Sequence, residues 1–265
     1  MDAARATLAD ARSATLVAAN ATLVERRDLT AHVASLFVRP DAPGQPYAPG
    51  QYATLGLADG DRVIQRPYSM AAPHAVDGAW EFHVRRVRGG ALTERLWDVP
   101  LGGRLRLGAP RGRFTTDPGD RRTHLFVATG TGIAPFVAMI RDDLAAGRPR
   151  AAVVIHGVAR ADELGFADLL RRLAREHPSG LRYVPTISRP GDPGNAGWSG
   201  ATGRAERVLQ DGWGTLGLDP ATTVAYLCGN PGMVVAARAA LAGRGIAPGD
   251  VHTESYWLDK GAPSA

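Results

Sequence analysis

A short stretch about a quarter of the way along the chain combines the side chains that a flat, phosphate-bearing ligand needs. Arg66, Pro67, Tyr68 and Ser69 follow one another directly after a predicted strand. In an extended segment side chains alternate between faces, so Arg66 and Tyr68 point one way and Ser69 the other. A guanidinium binds phosphate, a phenol ring offers a stacking face, and a hydroxyl can hydrogen-bond to a ring edge. An ordinary surface turn is the alternative interpretation.

A glycine-containing turn in the second half follows one predicted strand and opens a predicted helix. It comprises Thr129, Gly130, Thr131 and Gly132, with Pro135 in the first helical turn. Glycine lets backbone approach a ligand closely, and a helix N-terminus favours an anion. The pattern is not the G-x-G-x-x-G dinucleotide fingerprint, because Pro135 occupies its last position. A plain glycine turn is the alternative.

A second turn repeats this logic after another predicted strand. Cys228 ends the strand, Gly229 allows close approach, Asn230 can cap, and Pro231 opens the helix that includes Met233. The carboxyl ends of parallel strands lie at one edge of a sheet, where open α/β sheets bind nucleotides.

A third group pairs a hydroxyl with guanidinium groups. Ser188 and Arg189 follow the third predicted strand of the second half, and Arg204 opens the next helix. This set suits a ribose 2′-phosphate, whereas a carboxylate would favour a free 2′-hydroxyl. Solvated arginines on loops are the alternative.

Composition excludes several classes of protein. The chain has 265 residues, enough for two domains, and a formal net charge of +5. A single cysteine excludes a disulfide within the chain and a Cys-ligated iron–sulfur cluster, and it fits a cytoplasmic location. No apolar run approaches the ~20 residues of a membrane span, and residues 1–14 lack a secretory signal. No basic helix or interleaved aromatic run supports nucleic-acid binding. We expect no metal site.

Arginine supplies almost all of the positive charge. It clusters at residues 85–88, 104–113 and 121–122. These clusters are either solvated faces or a docking surface for an acidic partner.

The predicted elements change character near residues 115–122. In the first half we expect strands at 14–17, 21–27, 32–38, 51–57, 62–65, 80–87 and 104–107, with one helix at 91–97. Short strands with turns every 8–12 residues predict a closed antiparallel β-barrel. In the second half we expect strands at 124–129, 151–157, 181–187, 223–228 and 252–256, alternating with helices at 134–146, 162–176, 203–211 and 231–242. This alternation predicts an α/β domain with a parallel sheet.

Four motifs in this order resemble the ferredoxin–NADP reductase family, in particular its bacterial ferredoxin/flavodoxin reductases. They are Arg66-x-Tyr68-Ser69, residues 130–135 (GTGIAP), residues 228–233 (CGNPGM) and residues 254–257 (ESYW). The resemblance implies an N-terminal tail (1–13), an FAD-binding β-barrel domain (14–117), an NADP-binding α/β domain (122–257) and a C-terminal tail over or near the flavin (258–265). It also implies hydride transfer between NADP(H) and FAD, and single-electron transfer to or from a ferredoxin or flavodoxin, by what we expect to be a monomer.

The resemblance assigns site residues on this chain. Tyr68 would stack on the isoalloxazine, Tyr256 would cover its other face, and Trp257 would stack on the adenine. The FAD residues are Arg66, Pro67, Tyr68, Ser69, His83, Val84, Arg85, Ala91, Leu92, Thr93, Thr131, Tyr256 and Trp257. The NADP residues are Thr129, Gly130, Thr131, Gly132, Arg160, Ser188, Arg189, Arg204, Gly229, Asn230, Pro231 and Met233. The catalytic residues are Ser69, Cys228 and Glu254.

Two departures from the family pattern bear on these roles. Ala159 stands where the bacterial branch often has an arginine, and Arg160 follows it, so a preference for NADPH rests on Ser188, Arg189 and Arg204. Residues 258–265 extend past the terminal aromatic pair. Cys228 as a buried apolar residue, Glu254 as an edge carboxylate and Trp257 as an interface plug remain alternatives.

The physiological acceptor and the direction of flux are left open by the sequence. A reductase serving an oxygenase, a flavin or a ferric chelate is the alternative within the class. A redox module that holds flavin without turnover is the alternative outside it.

Overall fold

The structure is a computed structural model that describes residues 18–43, 45–75, 77–148 and 150–256. It divides into two compact units, Met1–Thr115 and Thr116–Ala265. The strand predicted at 14–17, the two predicted tails and Trp257 lie outside the described residues.

The first unit is a six-stranded antiparallel sheet. Its strands are β1 (Ala21–Thr30), β2 (Val33–Pro40), β3 (Tyr52–Asp59), β4 (Arg62–Ser69), β5 (Trp80–Arg85) and β6 (Arg104–Leu107). They lie in the order β4-β3-β6-β1-β2-β5. A bridge between Met70 and Phe82 joins the end of β4 to β5, and the N–H of Ala71 donates to the Glu81 carbonyl at 2.8 Å. The predicted closed barrel is confirmed.

The barrel interior is filled by alternate apolar side chains from its strands. Leu23, Leu36, Leu55, Phe82 and Leu105 are each at most 1% exposed. This alternation is what the period-2 pattern in the sequence encodes. The interior side chains therefore help to set the register of these strands.

A single short helix, α1 (Thr93–Trp97), follows β5. It begins two residues later than predicted. The reason lies in Thr93, whose hydroxyl accepts a hydrogen bond from the N–H of Val87 at 3.0 Å and donates to the Val87 carbonyl at 3.2 Å. These bonds hold the preceding residues in a turn.

The second unit is a six-stranded parallel sheet with helices. Its strands are β7 (Thr123–Thr129), β8 (Ala152–Val158), β9 (Leu181–Ile187), β10 (Ala201–Thr202), β11 (Thr223–Gly229) and β12 (Val251–Ser255), in the order β10-β9-β8-β7-β11-β12. Its helices are α2 (Ala134–Ala145), α3 (Ala167–Glu176), α4 (Ala205–Gly212) and α5 (Pro231–Gly243). Every residue of β8 and β11 is buried, as continuous apolar runs predict. Among the described residues, no helix combines the length and apolarity that a membrane crossing requires.

The single helix predicted at 162–176 is wrong in its first part. Ala161–Glu163 forms a 3-10 turn, and Phe166 adopts a left-handed conformation with φ of 60° before α3 begins. Leu164, 7% exposed, packs in one cluster with Val158 and Ile187. The apolar spacing continues across this break, so periodicity alone could not show it.

Candidate functional site

The Arg–Pro–Tyr–Ser stretch forms the end of β4. Register pairs Arg66 with Leu55 and Tyr68 with Ala53 of β3, so strand alternation places Arg66 and Tyr68 on one face. The Tyr68 ring packs against the barrel core, and burial raises the pKa of its phenol to about 12. The guanidinium of Arg66 donates to the carbonyl of Gln65 at 3.0 Å. A cation and a neutral phenol ring therefore share one face, a combination suited to a phosphate-bearing aromatic ligand.

The neighbouring strand β5 and the start of α1 carry the other first-unit candidates. His83 and Val84 are buried, whereas Arg85 is exposed. The Nδ1 of His83 lies 3.4 Å from the hydroxyl of Ser35. Leu92 is 2% exposed, and the Thr93 hydroxyl is bonded to Val87 as described above. Only backbone groups and the exposed Ala91 are left at residues 91–93 to meet a ligand.

The first glycine turn of the second unit is open at its leading end. β7 ends at Thr129, and Gly130–Ile133 forms a 3-10 turn that continues into α2. Gly130 has φ of 54°, and nothing lies within 4 Å of the position that a Cβ would take there. No side chain caps this turn. Uncapped N–H groups beside open space suit a phosphate.

A buried histidine on the neighbouring strand β8 is hydrogen-bonded to the same turn. His156 on β8 is fully buried, and its Nε2 lies 2.9 Å from the carbonyl oxygen of Gly130. Because a carbonyl can only accept, Nε2 carries the proton, and Nδ1 accepts from the Tyr183 hydroxyl at 3.2 Å. Burial lowers the pKa of His156 to about 4, so the imidazole is neutral. Site prediction from the sequence missed His156, because a lone histidine in an apolar strand carries no local signal of its partner.

The second glycine turn is joined to the first through Thr129. The Thr129 hydroxyl accepts from the N–H of Asn230 at 2.8 Å. Gly229 has φ of 135°, and a Cβ there would overlap the same hydroxyl. The side chain of Asn230 accepts from the N–H groups of Gly232 at 2.8 Å and Met233 at 3.4 Å. The predicted cap at Asn230 is therefore present, and it closes the start of α5.

The last two strands, β11 and β12, and the residue after β12 bring a thiol, a carboxylate and a phenol to this edge of the sheet. Register pairs Cys228 of β11 with Glu254 of β12. Cys228 is 1% exposed, and burial, with the charge of Glu254 as a smaller cause, raises the pKa of its thiol well above the ordinary value. The Tyr256 hydroxyl lies 3.0 Å from the Thr131 hydroxyl and 3.4 Å from the Thr129 carbonyl.

Gly132 shows how closely these segments pack. A Cβ on Gly132 would overlap the carbonyl of Cys228 and lie 2.9 Å from the Tyr256 hydroxyl. The structure thus brings together both glycine turns, the Cys228 thiol and the Tyr256 phenol.

The arginine-bearing loops lie at the other end of this sheet edge. Ile187 and Thr202, the last residues of β9 and β10, are paired in parallel. Ser188 therefore leaves the sheet at the same edge as Gly203 and Arg204. Ser188, Arg189 and Arg204 are exposed. Within the described part of the chain, no carboxylate is in ion-pair distance of Arg189 or Arg204, whereas the Nε of Arg160 lies 3.5 Å from the Asp162 carboxylate.

Comparison with known proteins identifies the class. The family model of the oxidoreductase FAD-binding domain matches residues 20–116, and that of the oxidoreductase NAD-binding domain matches residues 126–239. The chain is therefore an FAD-dependent oxidoreductase with a nicotinamide-nucleotide domain.

Individual relatives narrow this class. The chain is 36% identical over 244 residues to ferredoxin–NADP reductase B of Sorangium cellulosum, covering 89% of this chain and 96% of that protein. It is 31% identical to the reductase component of phenol 2-monooxygenase from Pseudomonas sp. (strain CF600), covering 87% of this chain and 63% of that protein. The fold matches a Neisseria gonorrhoeae ferredoxin NADP+ reductase crystallised with FAD and NADP, with a TM-score of 0.79, 22% identity and coverage of 89% and 97%. The chain belongs to the ferredoxin–NADP reductase family.

The residues present fit both cofactors. In the first unit, the neutral Tyr68 ring and the Arg66 cation lie on one face of β4. In the second, the space beside Gly130 is open and the turn is uncapped. Both sets have the chemistry that a dinucleotide requires.

Proposed function

We propose that the protein is a ferredoxin– or flavodoxin–NADP reductase. The observation that carries the proposal is the 36% identity over 96% of the Sorangium ferredoxin–NADP reductase B. The chain's single cysteine also supports it, because a chain without cluster cysteines must pass single electrons to another molecule.

On the first unit the proposed work of the residues is placement. Tyr68 offers its neutral ring as a stacking face, Arg66 holds phosphate, and Ser69 donates to the ring edge near the reacting nitrogen. On β5 the exposed Arg85 would line the ring, whereas the side chains of His83 and Val84 are buried and could do so only through their backbone. Bound FAD supplies the conversion between two-electron and one-electron transfer. Positioning of this kind lowers the barrier by removing translational and rotational freedom before reaction.

On the second unit the proposed roles divide between two ends of the sheet edge. Thr129 to Gly132 and Gly229 to Met233 would hold the pyrophosphate and nicotinamide. Cys228 stays a protonated thiol, since its pKa is raised, and with Glu254 it would border the nicotinamide. Ser188, Arg189, Arg204 and Arg160 would hold the ribose 2′-phosphate.

The proposed partner is an acidic electron-transfer protein that docks on the arginines of the first unit. Some arginines of the clusters are neutralised locally: Arg86 pairs with Glu94 (Nε to Oε2, 2.7 Å), and Arg104 pairs with Asp41. Arg88, Arg111 and Arg113 are exposed and remain the candidates for docking. A rate that falls with ionic strength would support docking, and a rate indifferent to salt would remove it. The monomeric state and the cytoplasmic location remain predictions.

A reductase component of an oxygenase is the second candidate. The 31% identity to the phenol 2-monooxygenase component favours it. The two candidates differ in the electron acceptor. Reduction of a ferredoxin or flavodoxin would favour the first candidate, and direct electron transfer to an oxygenase would favour the second.

The test begins with the visible spectrum of the purified protein after FAD is added. Flavin bands should appear, and anaerobic NADPH should bleach them. Addition of a ferredoxin or flavodoxin should then restore them as the acceptor is reduced. A protein without flavin bands would end the proposal, and bleaching without transfer to either acceptor would favour the second candidate.

A further inference from the structure

The loop between β9 and β10 is anchored on the sheet at its far end. Trp198 packs against the cluster of Val158, Leu164 and Ile187, and its ring N–H donates to the carbonyl of Ala201 at 2.9 Å. Gly200 passes so close that a Cβ there would overlap the Trp198 ring. The loop is therefore a packed part of the fold.

Within this loop one buried amide binds two other segments. Asn195 is 4% exposed. Its Nδ2 donates to the carbonyls of Ala159 at 3.1 Å and Arg189 at 2.7 Å, and its Oδ1 accepts from the N–H of Ala161 at 2.8 Å. Two acceptors on one side and one donor on the other fix the orientation of the amide. Asn195 therefore joins the segment after β8 to the segment after β9.

The backbone positions that Asn195 holds are those of two arginines. Ala159 and Ala161 flank Arg160, and the third bond goes to Arg189 itself. An arginine side chain has many rotamers, so several of them recognise one phosphate only when their backbones are held at a set separation. Asn195 supplies that restraint.

We propose that Asn195 is a positioning residue that sets the selectivity for a nicotinamide nucleotide with a ribose 2′-phosphate. The inference rests on the proposed function, because it assigns Arg160 and Arg189 to that phosphate. A nucleotide without the 2′-phosphate does not depend on the spacing of Arg160 and Arg189 that Asn195 sets. Sequence patterns do not indicate this role, since Asn195 lies in a stretch that predicts only a loop.

The test measures binding to the full, FAD-loaded chain by calorimetry, with adenosine 2′,5′-bisphosphate and 5′-AMP as probes that differ only in the 2′-phosphate. In Asn195→Ala the Kd of the bisphosphate should rise about tenfold, while that of 5′-AMP stays within about twofold. Asn195→Asp keeps the shape and the acceptor for Ala161 but loses both donors, so it should weaken the bisphosphate at least as much. The aspartate variant replaces the alanine variant in the binding measurement if the alanine variant fails to fold. In turnover, KM for NADPH should rise with kcat unchanged, and KM for NADH should stay constant.

A matched control exists in the first unit. Asn20 makes a similar pair of bonds with Leu107, donating to its carbonyl at 3.0 Å and accepting from its N–H at 2.7 Å. Asn20→Ala should leave both nucleotide affinities unchanged. Equal weakening of both probes in the Asn195 variants, or no change in either, would overturn the proposal. If NADPH and NADH bleach the flavin of the wild-type protein equally, the selectivity inference alone is refuted. If neither nucleotide bleaches it, the proposed function is refuted.

Discussion

Acid should loosen the Gly130 turn through His156. The imidazole is fully buried, and burial lowers its pKa from 6.5 to about 4 against a smaller opposing effect of the Gly130 carbonyl. The native state therefore binds fewer protons than the unfolded state. The contribution of neutral His156 to the free energy of unfolding is fully present above pH 6.5 and is lost as the pH falls toward about 4.

The size of this effect follows from the same shift. A pKa lowered from 6.5 to about 4 corresponds to about 3 kcal/mol of unfolding free energy. In His156→Gln the amide can still donate to Gly130 and accept from Tyr183, but it does not titrate. In His156→Leu the Gly130 carbonyl and the Tyr183 hydroxyl lose their partner, which costs about 1–3 kcal/mol for each group at any pH.

Hydrogen exchange followed by mass spectrometry can measure this locally, on peptides that cover residues 126–133 and 151–158. Between about pH 7.5 and about pH 4.5, the opening free energy of the wild-type turn should fall by up to about 3 kcal/mol, and that of His156→Gln by much less. His124→Gln is the control. His124 is also buried with a lowered pKa, but it lies at the start of β7, where its ring bonds to the Arg122 carbonyl and to Arg150. Identical pH dependence in wild type and His156→Gln would refute the reasoning.

Three further predictions test other parts of the structure. Tyr68→Ala should raise the Kd for FAD about tenfold by removing a stacking ring, whereas Ser69→Ala should leave FAD bound and slow NADPH-dependent bleaching about tenfold; fluorescence titration and stopped flow measure the two, and equal effects on binding would contradict the division of roles. Gly132→Ala should destabilise the second unit by about 2 kcal/mol or more, because its Cβ would overlap a carbonyl of β11, while Gly243→Ala, with open space around it, should be neutral or stabilising in thermal unfolding. Arg122→Ala should raise the pKa of the partly buried Asp120 carboxyl from about 2 toward 3.8 in an NMR titration. It should also lower the unfolding free energy by about 1–2 kcal/mol at neutral pH. An unchanged Asp120 titration would show that the ion pair is not formed in solution.

The sequence predicted those features whose cause is local. Alternation along β1 to β6 reports which side chains face the barrel interior, so the barrel could be recognised. The continuous apolar runs of β8 and β11 report burial on both faces. The cap at Asn230 was predictable because donor and acceptor lie two or three residues apart.

What it did not predict depends on partners distant in the chain. Along the chain, α2 separates Gly130 from His156 on β8, and α3 and β9 separate Ala159 and Ala161 from Asn195. The presence of a histidine or an asparagine in the sequence does not indicate which distant residue it will bond to. The break at Phe166 was hidden for another reason, since the helical period continues through it while the backbone does not.

The burial of Cys228 makes the chain useful for distance measurement. Thiol reagents attack the thiolate, and the only cysteine is 1% exposed with a raised thiol pKa, so the native protein should react slowly with maleimides. A cysteine introduced at Leu101 in the first unit and another at Val235 in the second, positions 65% and 70% exposed, would accept a pair of fluorophores with little background. Energy transfer between the dyes would then report, molecule by molecule, how far apart the two units lie and how that distance changes when NADPH or an electron acceptor is added.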